Sequence, residues 1–157
     1  MRIVLALFLA FSIGYACDKN SSSWVIKKEE AYNKTTHLTW RRCSLGLTWQ
    51  QGKCVGEHLQ VTFVEAKKRV EEGYSKWRIP TIEEMMTLVD ETCVPAINTN
   101  IFPDISVDED TSYWTQSVFL DNASEQEMPA LLYTMDFVHG SVDAHTQGLR
   151  YRILLVK

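Results

Sequence analysis

In the stretch Thr62 to Asp90, TFVEAKKRVEEGYSKWRIPTIEEMMTLVD, two helix starts of the same design are joined by a glycine and an aromatic-rich turn. Each is a capping box, in which an N-cap hydroxyl accepts from the backbone N–H three residues on while the Glu there reaches back to the N-cap N–H. Thr62 with Glu65 and Thr81 with Glu84 fit that pattern. After the first, Phe63, Ala66 and Val70 fall on one face at helical spacing, and Gly73 stands where a left-handed residue would end the helix. After the second, Ile82, Met85, Met86 and Val89 make an i, i+3, i+4, i+7 stripe, which in a small domain means burial against a sheet. The two Met residues read as core filling rather than as a binding groove.

Residues Met1 to Ala16 carry one charge, Arg2, then an apolar run from Ile3 to Ile13, with small Gly14 and Ala16 third and first before a cut at Cys17. This is the pattern of an export signal. A membrane span needs about 20 apolar residues, and no other segment approaches that. A lipid anchor at Cys17 is the alternative, because Cys at the first mature position followed by the polar run Asp18 to Ser23 looks like a bacterial lipoprotein start. Gly14, where such signals carry an aliphatic residue, favours plain cleavage. Cutting residues 1–16 from 157 leaves residues 17–157, a single domain of ordinary size. The full chain has 16 basic and 20 acidic residues, and losing Arg2 leaves 15 against 20, a net charge near −5. That balance argues against nucleic acid as a partner.

The four cysteines, Cys17, Cys43, Cys54 and Cys93, all lie in the mature part, and an even count in an exported chain reads as two disulfides. Cys43 and Cys54 bracket the turn-rich CSLGLTWQQGKC and are the natural first pair, worth about 2–3 kcal/mol on the chain-entropy model. Cys17 with Cys93 is then the second. No two cysteines have the close spacing of a zinc ribbon or finger, and no cofactor is expected.

Trp24 to Lys28 and Thr36 to Arg42 read as strands with a turn at Tyr32-Asn33-Lys34. Asp90 to Ser112, with Pro95, Pro103 and the acidic run Asp108 to Asp110, reads as a long loop. Strands follow at Tyr113 to Phe119, Ala130 to Val138 and Ser141 to Ala144, with a hairpin turn at His139-Gly140, and Tyr151 to Val156 closes the sheet through Ile153 and Val156. Helices grouped in mid-chain between blocks of hairpin-connected strands indicate an α+β fold with an antiparallel sheet.

Together, LTWRRCSLGLTW from Leu38 with Cys54 following, FVEAKKRVEEGYSKWRIPTIEEMMTLVD from Phe63, PAINTNIFP from Pro95, YWTQS from Tyr113 and the closing RYRILLVK resemble the Lcl C-terminal domain family. The family is named for the C-terminal module of a bacterial collagen-like adhesin. The resemblance covers nearly all of the mature chain and implies a disulfide-stapled fold related to C-type lectins and formylglycine-generating enzymes, in exported bacterial proteins. In the namesake adhesin the module is trimeric and engages sulfated glycosaminoglycans. This chain departs from it in having no collagen-like repeat and an acidic net charge.

Trp40, Trp77 and Trp114, beside strand-like residues, are expected in the core with their indole N–H groups bonded to backbone. Trp49, in the Cys-bracketed loop among Gln50, Gln51 and Gly52, is expected at the surface and suits carbohydrate or partner contact. Arg41, Arg42, Lys67, Lys68, Arg69, Lys76 and Arg78 form a candidate basic face for sulfate or phosphate. Against this, Lys67 to Arg69 are flanked by Glu65, Glu71 and Glu72 at helical spacing and read as paired and solvated, and Arg78 reads as the structural partner of a carboxylate in the sheet. The ligand-binding candidates are therefore Trp49, Arg41, Arg42, Lys67, Lys68 and Lys76. Asp104, Asp108, Glu109 and Asp110 offer oxygens for calcium, but without an EF-hand loop they read as a solvated acidic loop. His37, His58, His139 and His145 are scattered and no Ser sits in a nucleophile elbow, so no catalytic residues are expected. The expectation is a non-enzymatic exported module that recognises a glycan or a protein surface ligand, with an envelope interaction protein as the rival.

Overall fold

The computed structural model describes residues 21–107 and 112–157. Residues 1–16, read as an export signal, Cys17 and the acidic residues Asp108, Glu109 and Asp110 lie outside them. Three small antiparallel sheets are present among the described residues rather than one continuous sheet. The first contains β1 (Trp24–Lys27), β2 (Glu30–Asn33) and β3 (Thr39–Arg41) in that order. The second is the hairpin of β4 (Leu47–Gln50) and β5 (Lys53–Gly56), and the third orders β6 (Tyr113–Asp121), β7 (Gln126–Asp136) and β8 (Ser141–Thr146). Helices α1 (Phe63–Gly73) and α2 (Ile82–Met86) come between the second and third sheets, as the α+β reading requires.

Both capping boxes form. The Thr62 hydroxyl accepts from Glu65 N–H and the Glu65 carboxylate accepts from Thr62 N–H; Thr81 and Glu84 repeat the arrangement. Phe63, Ala66 and Val70 are the buried face of α1. Gly73 does not adopt a left-handed conformation: the helix ends at Tyr74, with φ −138° and ψ 48°, whose N–H bonds back to Val70 O. Helix α2 stops at Met86, so only Ile82 and Met85 of the expected stripe are fully buried, Val89 is half-buried and Met86 is exposed.

The closing segment is the centre of the molecule. Residues Ile153 to Val156 are each at most 1% exposed. They alternate as an extended chain must, with Leu154 and Val156 in a cluster with Trp40, Met85, Phe102 and Tyr113, and Ile153 and Leu155 in a second cluster with Phe63, Ala66, Trp114 and Leu132. Instead of joining a regular ladder it makes isolated bridges on both sides, with Val156 meeting both Trp40 and Arg78, and Tyr113 meeting Arg152. Backbone bonds Arg41 N–H to Leu155 O and Leu45 N–H to Ile153 O, each 2.9 Å, tie it to the first two sheets.

Two local expectations change. The turn placed at Tyr32-Asn33-Lys34 splits in two, because Tyr32 and Asn33 belong to β2; the β1–β2 connection is Lys28-Glu29, and the chain turns again after Asn33. The segment from Asp90 onward is a loop without a named helix or strand, as expected, but its described part, residues 90–107, is not wholly solvated: Ile97, Ile101, Phe102 and Ile105 are at most 4% exposed and pack in the first cluster. Proline and acidic residues there mark the absence of regular structure, whereas the interleaved aliphatics decide burial.

Candidate ligand-binding surface

The stapled segment folds as predicted in outline. Cys43 and Cys54 are disulfide-bonded with Cα atoms 5.5 Å apart. Between them β4 and β5 form a hairpin whose Gln51 and Gly52 both have positive φ, 47° and 87°, the backbone of a tight two-residue hairpin turn. Cys93 is disulfide-bonded as well; Cys17, its expected partner, lies outside the described residues.

Arg42 is not a surface cation. It is 8% exposed, and its guanidinium donates to three carbonyls: Nε to Ile101 O at 2.9 Å, Nη1 to Lys28 O at 2.8 Å and Nη2 to Asn100 O at 2.9 Å. Burial lowers its pKa from the ordinary arginine value. Trp49 is half-buried, its ring lying 4.0 Å from the Arg42 guanidinium carbon, so the tryptophan expected to meet a ligand covers a structural arginine instead. Arg42 thus clamps the β1–β2 turn and the 100–101 segment to the stapled hairpin.

The remaining basic candidates separate. Lys68 is exposed on α1 and 3.9 Å from Glu72, a solvated pair one helical turn apart. Arg78 binds Glu84 with both nitrogens, Nη1 to Oε2 at 2.7 Å; the pair lowers the Glu84 pKa and raises that of Arg78, in each case chiefly through these hydrogen bonds. Glu84 therefore serves the α2 cap and the arginine at once. Arg41, Lys67 and Lys76 make no ion pair with any described residue.

Those three meet around the ridge from Tyr74 to Arg78. On one side a groove of about 550 Å³ is walled by Phe63, Lys67, Glu71, Trp77, Arg78 and Gln116. On the other, a groove of about 340 Å³ is walled by Glu29, Arg41, Tyr74, Lys76 and Trp77. Ser75 and Trp77 line both. Arg41 lies over the Tyr74 ring at 4.9 Å, and Lys157 Nζ over the Trp77 ring at 4.4 Å while bonding Glu30 at 2.7 Å. Trp77 was expected in the core and is half-buried at this ridge. The readable signal was its spacing: Tyr74 and Trp77 stand three apart in the short non-helical link between two helices, interleaved with Lys76. The other two tryptophans are core residues at 0% exposure; Trp114 Nε1 donates to Val61 O at 2.9 Å, but Trp40 Nε1 has no partner among the described residues, contrary to expectation.

Asp104 is drawn inward rather than solvated. Its side chain is 3% exposed, accepts from Ser44 N–H at 3.2 Å and lies 3.8 Å from His58 Nδ1, with Arg152 adding a favourable charge nearby. Burial first, then Arg152, lowers the His58 pKa, against the opposing pull of Asp104. Burial likewise pushes the Tyr113 phenol far up. Among the described residues no three His, Cys, Asp or Glu side chains gather as a metal site, and no helix is long and apolar enough to cross a membrane.

A search of curated proteins finds none that matches this chain. The Lcl C-terminal domain family matches residues 29–157, which include every element from β2 onward and both grooves beside Trp77, and the chain belongs to that family.

Proposed function

We propose that this protein is an exported, non-enzymatic recognition module with a C-type-lectin-like scaffold, and that it binds an extended glycan bearing acidic groups along the Tyr74–Arg78 ridge. The observation that carries this reading is the set of three cations without ion-pair partners among the described residues, Arg41, Lys67 and Lys76, distributed over two grooves that share Trp77. Two grooves separated by one aromatic residue suit a chain of rings better than a single small molecule. Forked arginine and mobile lysine contacts suit carboxylate or sulfate groups spaced along it. The overall negative charge is compatible with this, because exposed charges more than about 10 Å apart are largely screened at 0.1 M salt and the local set governs contact.

The test is retention of the purified protein on immobilised polysaccharides, sulfated, uronate-containing and neutral, at low and at physiological salt. Acidic polysaccharides should retain it, retention should fall with salt, and the triple variant Arg41→Gln/Lys67→Gln/Lys76→Gln should elute early with an unchanged melting temperature. Silence across the panel, or retention indifferent to the triple variant, would overturn the reading. Those results would favour a protein partner on β1, an edge strand whose Val25 and Ile26 are 38% and 46% exposed.

A further inference from the structure

A second cavity shares no residue with the ridge. It has a volume of about 370 Å³ and lies between β1, the turn after β2 and the segments following α2. That is at the small end of ligand pockets, which run roughly 300–1,000 Å³, and suits one ring rather than a chain. Its floor is apolar: Trp24, Leu88 and Phe102, with Trp24 edge-on to Phe102 at 6.0 Å between ring centroids.

The walls carry donors that bond nothing among the described residues. Asn33 Oδ1 accepts from Thr35 N–H at 2.8 Å and Thr36 N–H at 3.3 Å, and Asn98 Oδ1 accepts from Asn100 N–H at 3.0 Å. Of the two ends of a side-chain amide only the oxygen can accept from a backbone N–H, so these bonds settle which end of each amide is which. Both NH₂ groups are thereby left over on side chains that line the cavity, and neither donates to any described residue. Asn33 is 7% exposed, and the Thr36 hydroxyl, on the same wall and shielded from solvent, also has no partner among the described residues. A shielded hydroxyl such as that of Thr36 is nearly always bonded in native proteins, to protein, to water or to a ligand, and the two amide NH₂ groups are open to the same space.

The charge of the lining narrows the ligand. Asp90 lies on the wall, taking the Thr92 N–H and hydroxyl, and no described lining residue is Lys or Arg. An anion would meet that carboxylate, and the described lining offers it no Lys or Arg. A cation would leave the two amide donors unmatched. We propose that this cavity binds one neutral, hydroxyl-rich ring of monosaccharide size, its C–H face on Trp24 and its hydroxyl oxygens accepting from the Asn33 and Asn98 amides. The site is independent of the acidic-glycan reading, and either can fail without the other.

The experiment is an NMR titration of the folded protein with glucose, galactose and N-acetylglucosamine, with choline and acetate as cationic and anionic counter-probes. At least one sugar should shift the Trp24 indole and the Asn33 and Asn98 side-chain amide signals saturably, while the counter-probes leave them in place. The double variant Asn33→Asp/Asn98→Asp keeps each oxygen acceptor for its turn and replaces the donors with carboxylates, so it should weaken that sugar about tenfold or more, measured below the variant's own melting transition because a new charge at buried Asn33 costs stability. Thr36→Val, which removes one hydroxyl at constant shape, is the second variant and should weaken it several-fold. No saturable shift with any sugar would mean that the cavity holds ordered water only. That result, a stronger response to choline or acetate, or sugar binding indifferent to both variants would overturn the proposal.

Discussion

Arg42→Ala should destabilise the fold without touching the ligand surface. The guanidinium makes three bonds to carbonyls at 2.8–2.9 Å, joining the β1–β2 turn to a segment 58–59 residues beyond Arg42. At the low end for bonds involving a charged group, about 1.5 kcal/mol each, they come to about 4–5 kcal/mol. Losing the Trp49 contact at 4.0 Å removes about 0.5–1 kcal/mol more. Part of this is returned because a desolvated cation disappears, as its lowered pKa indicates, leaving about 3–5 kcal/mol, the usual result of removing one partner of a buried charged group. That is a large share of a domain stability of about 5–15 kcal/mol. Arg42→Lys, which keeps the charge and one or two bonds but not the fork, should lose about 2–3 kcal/mol and carries the measurement if the alanine variant does not fold. Urea unfolding followed by circular dichroism, with disulfides intact, gives both values, and a cycle with Trp49→Leu should show coupling of about 0.5–1 kcal/mol. A loss under about 1 kcal/mol for Arg42→Ala with unchanged slope would refute the clamp and return Arg42 to the candidates for ligand contact.

Glu84→Gln should cost about 1–2 kcal/mol at neutral pH through the partly exposed Arg78 pair and the α2 capping box. Because the folded Glu84 pKa lies below its ordinary 4.5, its contribution is complete above that value and is lost as pH falls through the folded one. Wild-type stability should therefore drop more steeply below about pH 4.5 than that of Glu84→Gln; parallel curves in acid denaturation would contradict the assignment. Gly46 has φ +97°, and a Cβ there would sit 2.6 Å from Glu57 O and 2.7 Å from Leu59 Cγ. Gly46→Ala should thus lower stability by at least about 2 kcal/mol, through strain and a backbone clash together. Gly73 ends α1 facing open space, and Gly73→Ala should raise stability by about 0.4–1 kcal/mol. Thermal melts of the two variants moving in the same direction would show that the local backbone had been misread.

What was legible in the sequence is what three to twelve neighbouring residues decide between themselves. The capping boxes, the buried face of α1 and the Cys43–Cys54 staple are local bargains between side chain and backbone, and they form as expected. That Arg78 pairs with a carboxylate was legible, but the partner expected in the sheet is Glu84 of α2, six residues away. Arg42 and Arg41 are adjacent and chemically identical, yet one is buried and one lines a groove. That difference is fixed by the return of Asn100 and Ile101 to Arg42, which no local pattern announces. Asp104 was misread in the same way, since its acidic neighbourhood suggested solvent while Ser44 and His58, far back in the chain, draw it inward. Alternation in the closing segment was visible, but its place between two cores depends on pairings with residues up to 118 positions earlier, such as Thr39 with Lys157 at 2.9 Å.

The basic residues divide by a physical criterion that sequence position does not supply. Arg42, Arg78 and Lys157 have their donors engaged by carbonyls or carboxylates, so an anionic ligand would have to compete with partners already at 2.7–2.9 Å. Arg41, Lys67 and Lys76 have no such partner among the described residues, and an incoming carboxylate or sulfate displaces only water. Stability and binding should consequently separate under mutation. Neutralising the first group should lower the melting temperature before it changes retention on a polysaccharide, and neutralising the second should change retention while altering stability by no more than about 0.5 kcal/mol. A single basic face serving both purposes would make the two readouts fall together, whereas the geometry around Trp77 requires them to come apart.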